Sequence, residues 1–402
     1  MSNLDDKALE LAKGLIRCRS VTPRDAGALN VLIKVLKPAR FACEKLNFTE
    51  DGTAPVDNLF ARIGDGSPHL CFAGHTDVVP PGDEEGWTHP PFAADVADGR
   101  LYGRGTSDMK GAIACFAAAA IDYVKEKGGE IDGSISLLIT GDEEGPAING
   151  TSKVLAWMKE RGERIDHCVV GEPTNSKRIG ESIKIGRRGS LNGMLKLTGM
   201  QGHVAYPHLA QNPVKGLIKV FARLYETPLD YGSAHFSPSN LEVTSIDVGN
   251  PATNVIPSVA EARFNVRFND RHTPDSLQAL LREQILLSLA GSELAYTLEF
   301  EPPSETFLTE PGPLDALLSD AVNEITGLTP SLSTDGGTSD ARFIKDYCPV
   351  VEFGLTTATV HKTDEHASIA DLEQLTAIYR RFIERYFEGF GVPDAGLSLI
   401  HI

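Results

Sequence analysis

No stretch of this chain is apolar for the ~20 residues that a membrane-spanning helix needs. No Cys-x-x-Cys pair occurs among its six cysteines, Cys18, Cys43, Cys71, Cys115, Cys168 and Cys348. That argues against thiolate zinc sites and thioredoxin-like chemistry. Cys71 and Cys168 lie inside apolar runs and read as buried thiols in a reducing compartment. Basic residues are scarce: 38 Lys and Arg against 55 Asp and Glu leave a formal net charge of −17. Such a charge disfavours nucleic acid and anionic membrane surfaces as partners. It leaves room for a small anionic substrate at a locally basic site. The start, Met1 to Lys13, is acidic and helical in pattern, with no basic region followed by an apolar one. It does not read as a secretory leader, and the expectation is a cytoplasmic enzyme.

What is present suffices for two domains: 402 residues, 41% hydrophobic and 23% charged. The first half alternates short apolar runs with helical patterns. Leu9–Leu15, Leu29–Leu46, Gly111–Val124 and Thr151–Arg161 carry helical spacing, with Thr151 as expected N-cap. His69–Ala73, Ser134–Thr140 and His167–Val170 read as short buried strands. Buried strands alternating with helices predict an α/β fold, a mostly parallel sheet with helices on both faces. From Lys184 to Glu301 the order becomes β-α-β-β-α-β, the split arrangement of a ferredoxin-like α+β domain. Pro313–Ile325, Val350–Phe353 and Asp371–Phe387 then read as helix, strand and closing helix. The expected organisation is a discontinuous domain, 1–183 and 302–402, interrupted by an inserted domain, 184–301.

Three predicted strands run into polar clusters: His75-Thr76-Asp77, Asp142-Glu143-Glu144 and Glu172-Pro173. In a parallel sheet the ligand crevice lies beyond the carboxyl ends of the strands, so these clusters should meet. Asp108, ahead of the Gly111 helix, and His361, after the Val350 strand, supply a fourth and a fifth element. Two histidines and several carboxylates without cysteine suit zinc, cobalt or manganese in an open site. Five such ligands exceed what one catalytic zinc takes and fit two metals ~3.5–4 Å apart. The adjacent pair Glu143-Glu144 can then divide the work, one carboxylate binding metal and the other facing the attacking water. Asp77, two residues after His75, can orient its imidazole. Taken singly, each residue has a plainer reading as a cap or solvated turn. Spacing alone does not choose between His361 and His366, whose Glu-His-Ala setting resembles ordinary helix capping.

Gly74-His75-Thr76-Asp77-Val78-Val79-Pro80 and the segment Asp98 to Gly111 closely resemble the di-zinc aminoacylase/carboxypeptidase family, of zinc-exopeptidase-like fold. Gly141-Asp142-Glu143-Glu144-Gly145 and Gly171-Glu172-Pro173 are similar to it too, and the resemblance covers nearly the whole chain. It implies two divalent metals, Zn²⁺ or alternatively Co²⁺, with His75 and Glu172 on one, Glu144 and His361 on the other, and Asp108 bridging. It implies Glu143 as general base, Asp77 in support of His75, and a cis peptide after Asp108. For the inserted domain it implies a lid and a homodimer contact, with His203 reaching the partner's site as an oxyanion donor.

Arg187, Tyr206, Asn254, Arg267 and Thr338 match the family's substrate contacts. A departure is Thr357, where many relatives carry Asn. A substrate with two carboxylates needs planar bidentate donors, and Lys177, Arg178, Lys184, Arg187 and Arg188 form the most basic stretch. Lys177 and Arg178 read as a solvated hinge. The activity so implied is hydrolysis of a linear amide in a small N-acylated amino acid. The alternatives are another deacylase or exopeptidase of the family, and a non-catalytic binding protein of the same fold.

Overall fold

Seven consecutive buried residues, His69–His75, form the strand at the heart of the first of two units. The computed structural model describes residues 4–390. In chain order the first unit opens with α1 (Leu4–Ile16), α2 (Ala28–Leu36), β1 (Ala42–Phe48), β2 (Val56–Ile63), β3 (His69–His75) and α3 (Gly111–Glu126). It continues through β4 (Ser134–Thr140), α4 (Thr151–Glu160), β5 (His167–Val170) and β6 (Ser182–Lys184). The second unit holds β7 (Gly189–Thr198), α5 (Pro213–Glu226), β8 (Asn240–Asp247), β9 (Val259–Phe268), α6 (Pro274–Leu289) and β10 (Ala295–Phe300). The first unit resumes with α7 (Pro313–Thr326), β11 (Ser331–Ser333), β12 (Val350–Glu352) and α8 (Ile369–Phe390).

In the first unit the strand order is β1-β2-β4-β3-β5-β12-β6-β11. The central pairs β4–β3, β3–β5 and β5–β12 are parallel, while β1–β2, β2–β4 and the single β12–β6 pairing are antiparallel. Every residue of β3 and of β4 is buried, so both faces of the sheet are covered, as a parallel sheet requires. The alanine-rich α3 lets neighbours approach closely and packs against α1 and α8. Phe72 of β3 stacks on Phe116 of α3 at 4.4 Å, and Tyr379 of α8 sets its edge against both rings. Among the described residues no helix is long and apolar enough to cross a membrane.

Two local expectations are corrected. The helix expected over Leu29–Leu46 ends at Leu36. Pro38 has no N–H for the Lys34 carbonyl, the chain tightens over Lys37–Ala39, and Arg40 turns to φ 70°. Ala42–Phe48 is then free to pair with β2. Thr151 is not the N-cap of α4. It is the first helical residue, and its hydroxyl donates to Asp340 Oδ2 at 2.7 Å.

In the second unit the order is β8-β9-β7-β10, with all neighbours antiparallel. This is the strand order of a β-α-β-β-α-β sheet with both crossovers complete. Burial alternates along β7 and β9, and the inward set, including Leu191, Leu195, Phe264 and Val266, packs with Leu217 of α5 and Leu281 of α6. The unit spans Gly186–Leu308 and Thr334–Thr338. It extends past residue 301 because Phe307–Leu308 pairs antiparallel with Gly186–Arg187.

Candidate metal centre

The register of the central strands brings the polar clusters together. His75 pairs with Thr140, and Ala73 with Val170, so the loops after β3, β4 and β5 leave the sheet side by side. Asp108 arrives on a bulged turn, Thr106–Lys110. Gly105 precedes it at φ 88°, where a Cβ would stand 2.7 Å from Val78 Cγ1, so only glycine fits. The Asp108–Met109 peptide is cis. His361 comes from the loop after β12, at φ 60°.

His75 Nε2 lies 3.3 Å from Asp108 Oδ1, 3.8 Å from Glu172 Oε1 and 3.9 Å from Glu143 Oε2. On the other side, His361 Nε2 lies 2.9 Å from Glu144 Oε1 and 3.2 Å from Asp108 Oδ2. Asp108 thus turns one oxygen to each histidine. Two sets have ligand atoms close enough to share an ion: His75, Asp108 and Glu144, and His75, Glu143 and Glu172. His75 Nε2 and Asp108 Oδ1 are both buried and neither makes a hydrogen bond. Buried polar atoms are normally satisfied, and a ring nitrogen and a carboxylate oxygen left side by side in that state fit a shared cation. The donor set of imidazole and carboxylate suits zinc and related divalent ions.

The electrostatics agree. Burial resists protonation of His75, but the Asp108 carboxylate beside its Nε2 and the charges of Glu143 and Asp77 raise its pKa well above the usual value. Hydrogen bonding to Asp108 and Glu144 pushes His361 up to about 10. Burial, then the Glu172 charge, pushes the Glu143 carboxyl well above its normal range, and burial raises Asp77 to about 6. Asp108 is driven the opposite way, below the carboxylate range: both histidines outweigh its burial. The cluster holds more negative charge than its two histidines balance, and divalent cations relieve that.

Asp77 differs in detail from its expected role. His75 Nδ1 meets the Asp77 backbone carbonyl at 2.9 Å, with the carboxylate oxygen farther off at 3.7 Å. The carboxylate instead accepts from the backbone N–H groups of Glu143 and Glu144 and so fixes that turn. His366 stands apart. Its Nδ1 meets the Asp364 carbonyl and its ring tilts against Tyr102. It opens a short strand, His366–Ser368, and Ser368 does the capping by accepting from Asp371 N. Sequence reasoning passed over Glu365, which is fully buried and accepts from three backbone N–H groups around Asp108. A single acidic residue in a polar stretch carried no signal of that burial.

His203 and the expected substrate contacts lie in the second unit. Arg187 is buried and donates to the Gly337 carbonyl at 3.0 Å, next to half-buried Thr338. Arg267 is half-buried, and its Nη1 has no hydrogen-bond partner. Burial, then the Arg188 charge, holds its pKa below the ordinary arginine value. His203 and Asn254 are exposed, on the two-stranded ribbon Gly202–His203 with Val255–Ile256 and its turn. Tyr206 is exposed beside His203. Lys177 and Arg178 are exposed on a turn closed by Glu181. Thr357 is exposed in the first unit.

A sheet whose strand ends gather two histidines and five carboxylates is the frame of a metal-dependent hydrolase. The pattern of peptidase family M20/M25/M40 matches residues 71–385, and the chain belongs to that family. Among curated proteins it is 58% identical over 381 residues to a succinyl-diaminopimelate desuccinylase of Rhodopseudomonas palustris, covering 94% of this chain and 98% of that one. It is 58% identical over 385 residues to the protein of that name from Methylobacterium radiotolerans, covering 96% and 98%. Among solved structures, aminopeptidase PepT of Bacillus cereus superposes with a TM-score of 0.75 at 20% identity, over 95% of this chain and 98% of that one. The Bacillus subtilis YXEP protein, described as a dinuclear metal binding peptidase of the M20 family, superposes with a TM-score of 0.68 at 16% identity, over 96% and 99%. These two likenesses concern the fold.

Proposed function

We propose that this chain is a two-metal amidohydrolase that converts N-succinyl-L,L-diaminopimelate and water to succinate and L,L-diaminopimelate. The observation that carries the two-metal reading is Asp108, with one oxygen toward His75 and the other toward His361. The succinyl specificity rests on the name shared by relatives that are 58% identical end to end. His75 and Glu172 would hold one ion, Glu144 and His361 the other, with Asp108 shared between them. The ions are zinc, with cobalt as a working substitute. When bound, they polarise the amide carbonyl and acidify the attacking water.

Glu143 takes the proton of that water and passes it to the departing amine. Its raised affinity for a proton, from burial beside Glu172, suits that transfer. Asp77 holds Glu143 and Glu144 on one turn, so base and ligand keep a fixed offset. His203, acting across a homodimer, donates a hydrogen bond to the developing oxyanion. Arg187, Tyr206, Asn254, Arg267 and Thr338 bind the substrate's polar ends. Arg267 fits a carboxylate best, being partly buried with a free guanidinium nitrogen. The second unit serves as lid and dimer contact, and the enzyme works in the cytoplasm.

Comparing hydrolysis of N-succinyl-L,L-diaminopimelate, N-acetylornithine and dipeptides tests the substrate. Highest kcat/KM on the first supports the reading. Highest on N-acetylornithine reassigns the chain to an acetylornithine deacetylase. No turnover on any, with metals bound, points to a binding protein. Glu143→Gln should keep both ions and lose about 10²–10⁴-fold in kcat. Full turnover would remove Glu143 from the mechanism.

A further inference from the structure

Asp108 and His361 come from loops far apart in sequence, and neither lies on a strand of the central sheet. Both loops are tied to one buried ion pair. Arg104 is 3% exposed and Glu365 0%. Arg104 Nη1 donates to Glu365 Oε2 at 2.6 Å. Glu365 Oε1 accepts from Ser107 N at 2.9 Å and Asp108 N at 3.2 Å, and Oε2 from Gly105 N at 3.1 Å. Three N–H donors of the Asp108 turn, those of Gly105, Ser107 and Asp108, therefore converge on one carboxylate. On the other side Arg104 reaches the His361 loop. Nη1 donates to the Lys362 carbonyl at 3.3 Å, and Nη2 to the His361 carbonyl at 3.5 Å. The backbone completes the tie, Gly103 N donating to the Glu365 carbonyl at 2.9 Å and Ser107 Oγ to the His366 carbonyl at 3.0 Å.

The other side of the site has no such need. His75 continues a strand hydrogen-bonded on both edges, and Glu172 follows the neighbouring strand. Strand pairing sets the distance between His75 and Glu172. The Asp108 and His361 loops lie off that sheet; the Arg104–Glu365 pair and its hydrogen bonds join them, beside the short pairing of His366–Ser368 with Arg100–Tyr102 and the contact of Ser107 Oγ with Thr359 Oγ1 at 3.2 Å.

We infer that Arg104 and Glu365 are positioning residues for one of the two metals. Their buried pair holds Asp108 against His361 and so supports the Glu144–His361 site most, touching the His75–Glu172 site through the shared Asp108 alone. This rests on the two-metal reading above. Neither side chain ligates an ion. They act through the backbone of residues that do, and the loss of such outer supports typically costs about 10–100-fold in metal affinity.

The test is competition for Zn²⁺ between a chelator and the full-length protein, with bound zinc counted per chain. It is run on wild type, Glu365→Gln and Arg104→Lys. Glu365→Gln replaces an acceptor oxygen with an NH₂ that faces donors. Arg104→Lys keeps the charge and loses the fork that spans both loops, and it decides the matter if the glutamine protein does not fold. The expected result is one Zn²⁺ weakened by about 10–100-fold and the other weakened less, since strand pairing still holds His75 and Glu172 while Asp108 is shared. At limiting zinc kcat should fall while KM holds, and excess zinc should restore kcat. Equal weakening of both ions, or of neither, overturns the inference. If wild type holds fewer than two ions, the two-metal reading fails and this inference with it. Two ions in wild type and an unchanged second affinity in the variants overturn this inference alone.

Discussion

His69 and His75 close the two ends of the same strand, and both are buried, at 2% and 1% exposed. At the first end His69 has a partner for each ring nitrogen: Nδ1 lies against the Arg164 carbonyl and Nε2 against Ser136 Oγ. Burial, then the Arg62 charge, pushes its pKa down to about 4, so it sits in the fold as a neutral imidazole. At the far end His75 satisfies only Nδ1, and its Nε2 faces three carboxylates without a hydrogen bond. Residue type, strand and burial are the same. What separates a packing histidine from a site histidine is the chemistry of its partners, and the carboxyl end of the strand is where those partners collect.

Breaking the His75 end should have the largest effect. His75→Ala is expected to weaken zinc by more than the ~100-fold that outer supports reach, read by chelator competition. His69→Leu should do the reverse. Both ions stay bound, while the Ser136 hydroxyl and Arg164 carbonyl lose their partner, costing about 1–3 kcal/mol in denaturant melts at pH 7.

The two ends also differ in how they answer acid. An unfolded chain protonates His69 below about 6.5, whereas the folded chain resists until about 4. Its contribution is therefore complete above pH 6.5 and is lost as pH falls toward 4, by about 3 kcal/mol in all. In melts of the metal-free protein from pH 7 to 4, His69→Leu should lose that share of the slope. An unchanged slope would mean that His69 takes up its proton as readily in the folded chain as in the unfolded one. The smallest effect belongs to the exposed pair Lys177 and Arg178. Changing both to Ala should leave stability within about 0.5 kcal/mol and kcat/KM unchanged. A loss in kcat/KM would place them at the substrate.

The same contrast explains what could be read from the sequence. His75, Glu143, Glu144 and Glu172 stand out because each follows an apolar run, and parallel strands deliver such ends to one place. The second unit was legible through clean alternation in β7 and β9. Asp108 and His361 were visible as residue types, but pattern could not choose His361 over His366. That choice depends on a loop whose path is fixed by Glu365. Glu365 itself was invisible, since a carboxylate buried by backbone donors has no periodicity to betray it. The boundary between α2 and β1 was missed for a similar reason, because apolar spacing carried past Pro38 into a strand whose partner, β2, lies downstream.

Amide hydrolysis by this chain should depend on two metals. The most direct measurement is succinate release from N-succinyl-L,L-diaminopimelate by metal-free protein as Zn²⁺ is added, with bound zinc counted per chain. Turnover should rise with occupancy and reach its maximum at two ions per chain. Protein that holds two ions and releases no succinate would contradict it.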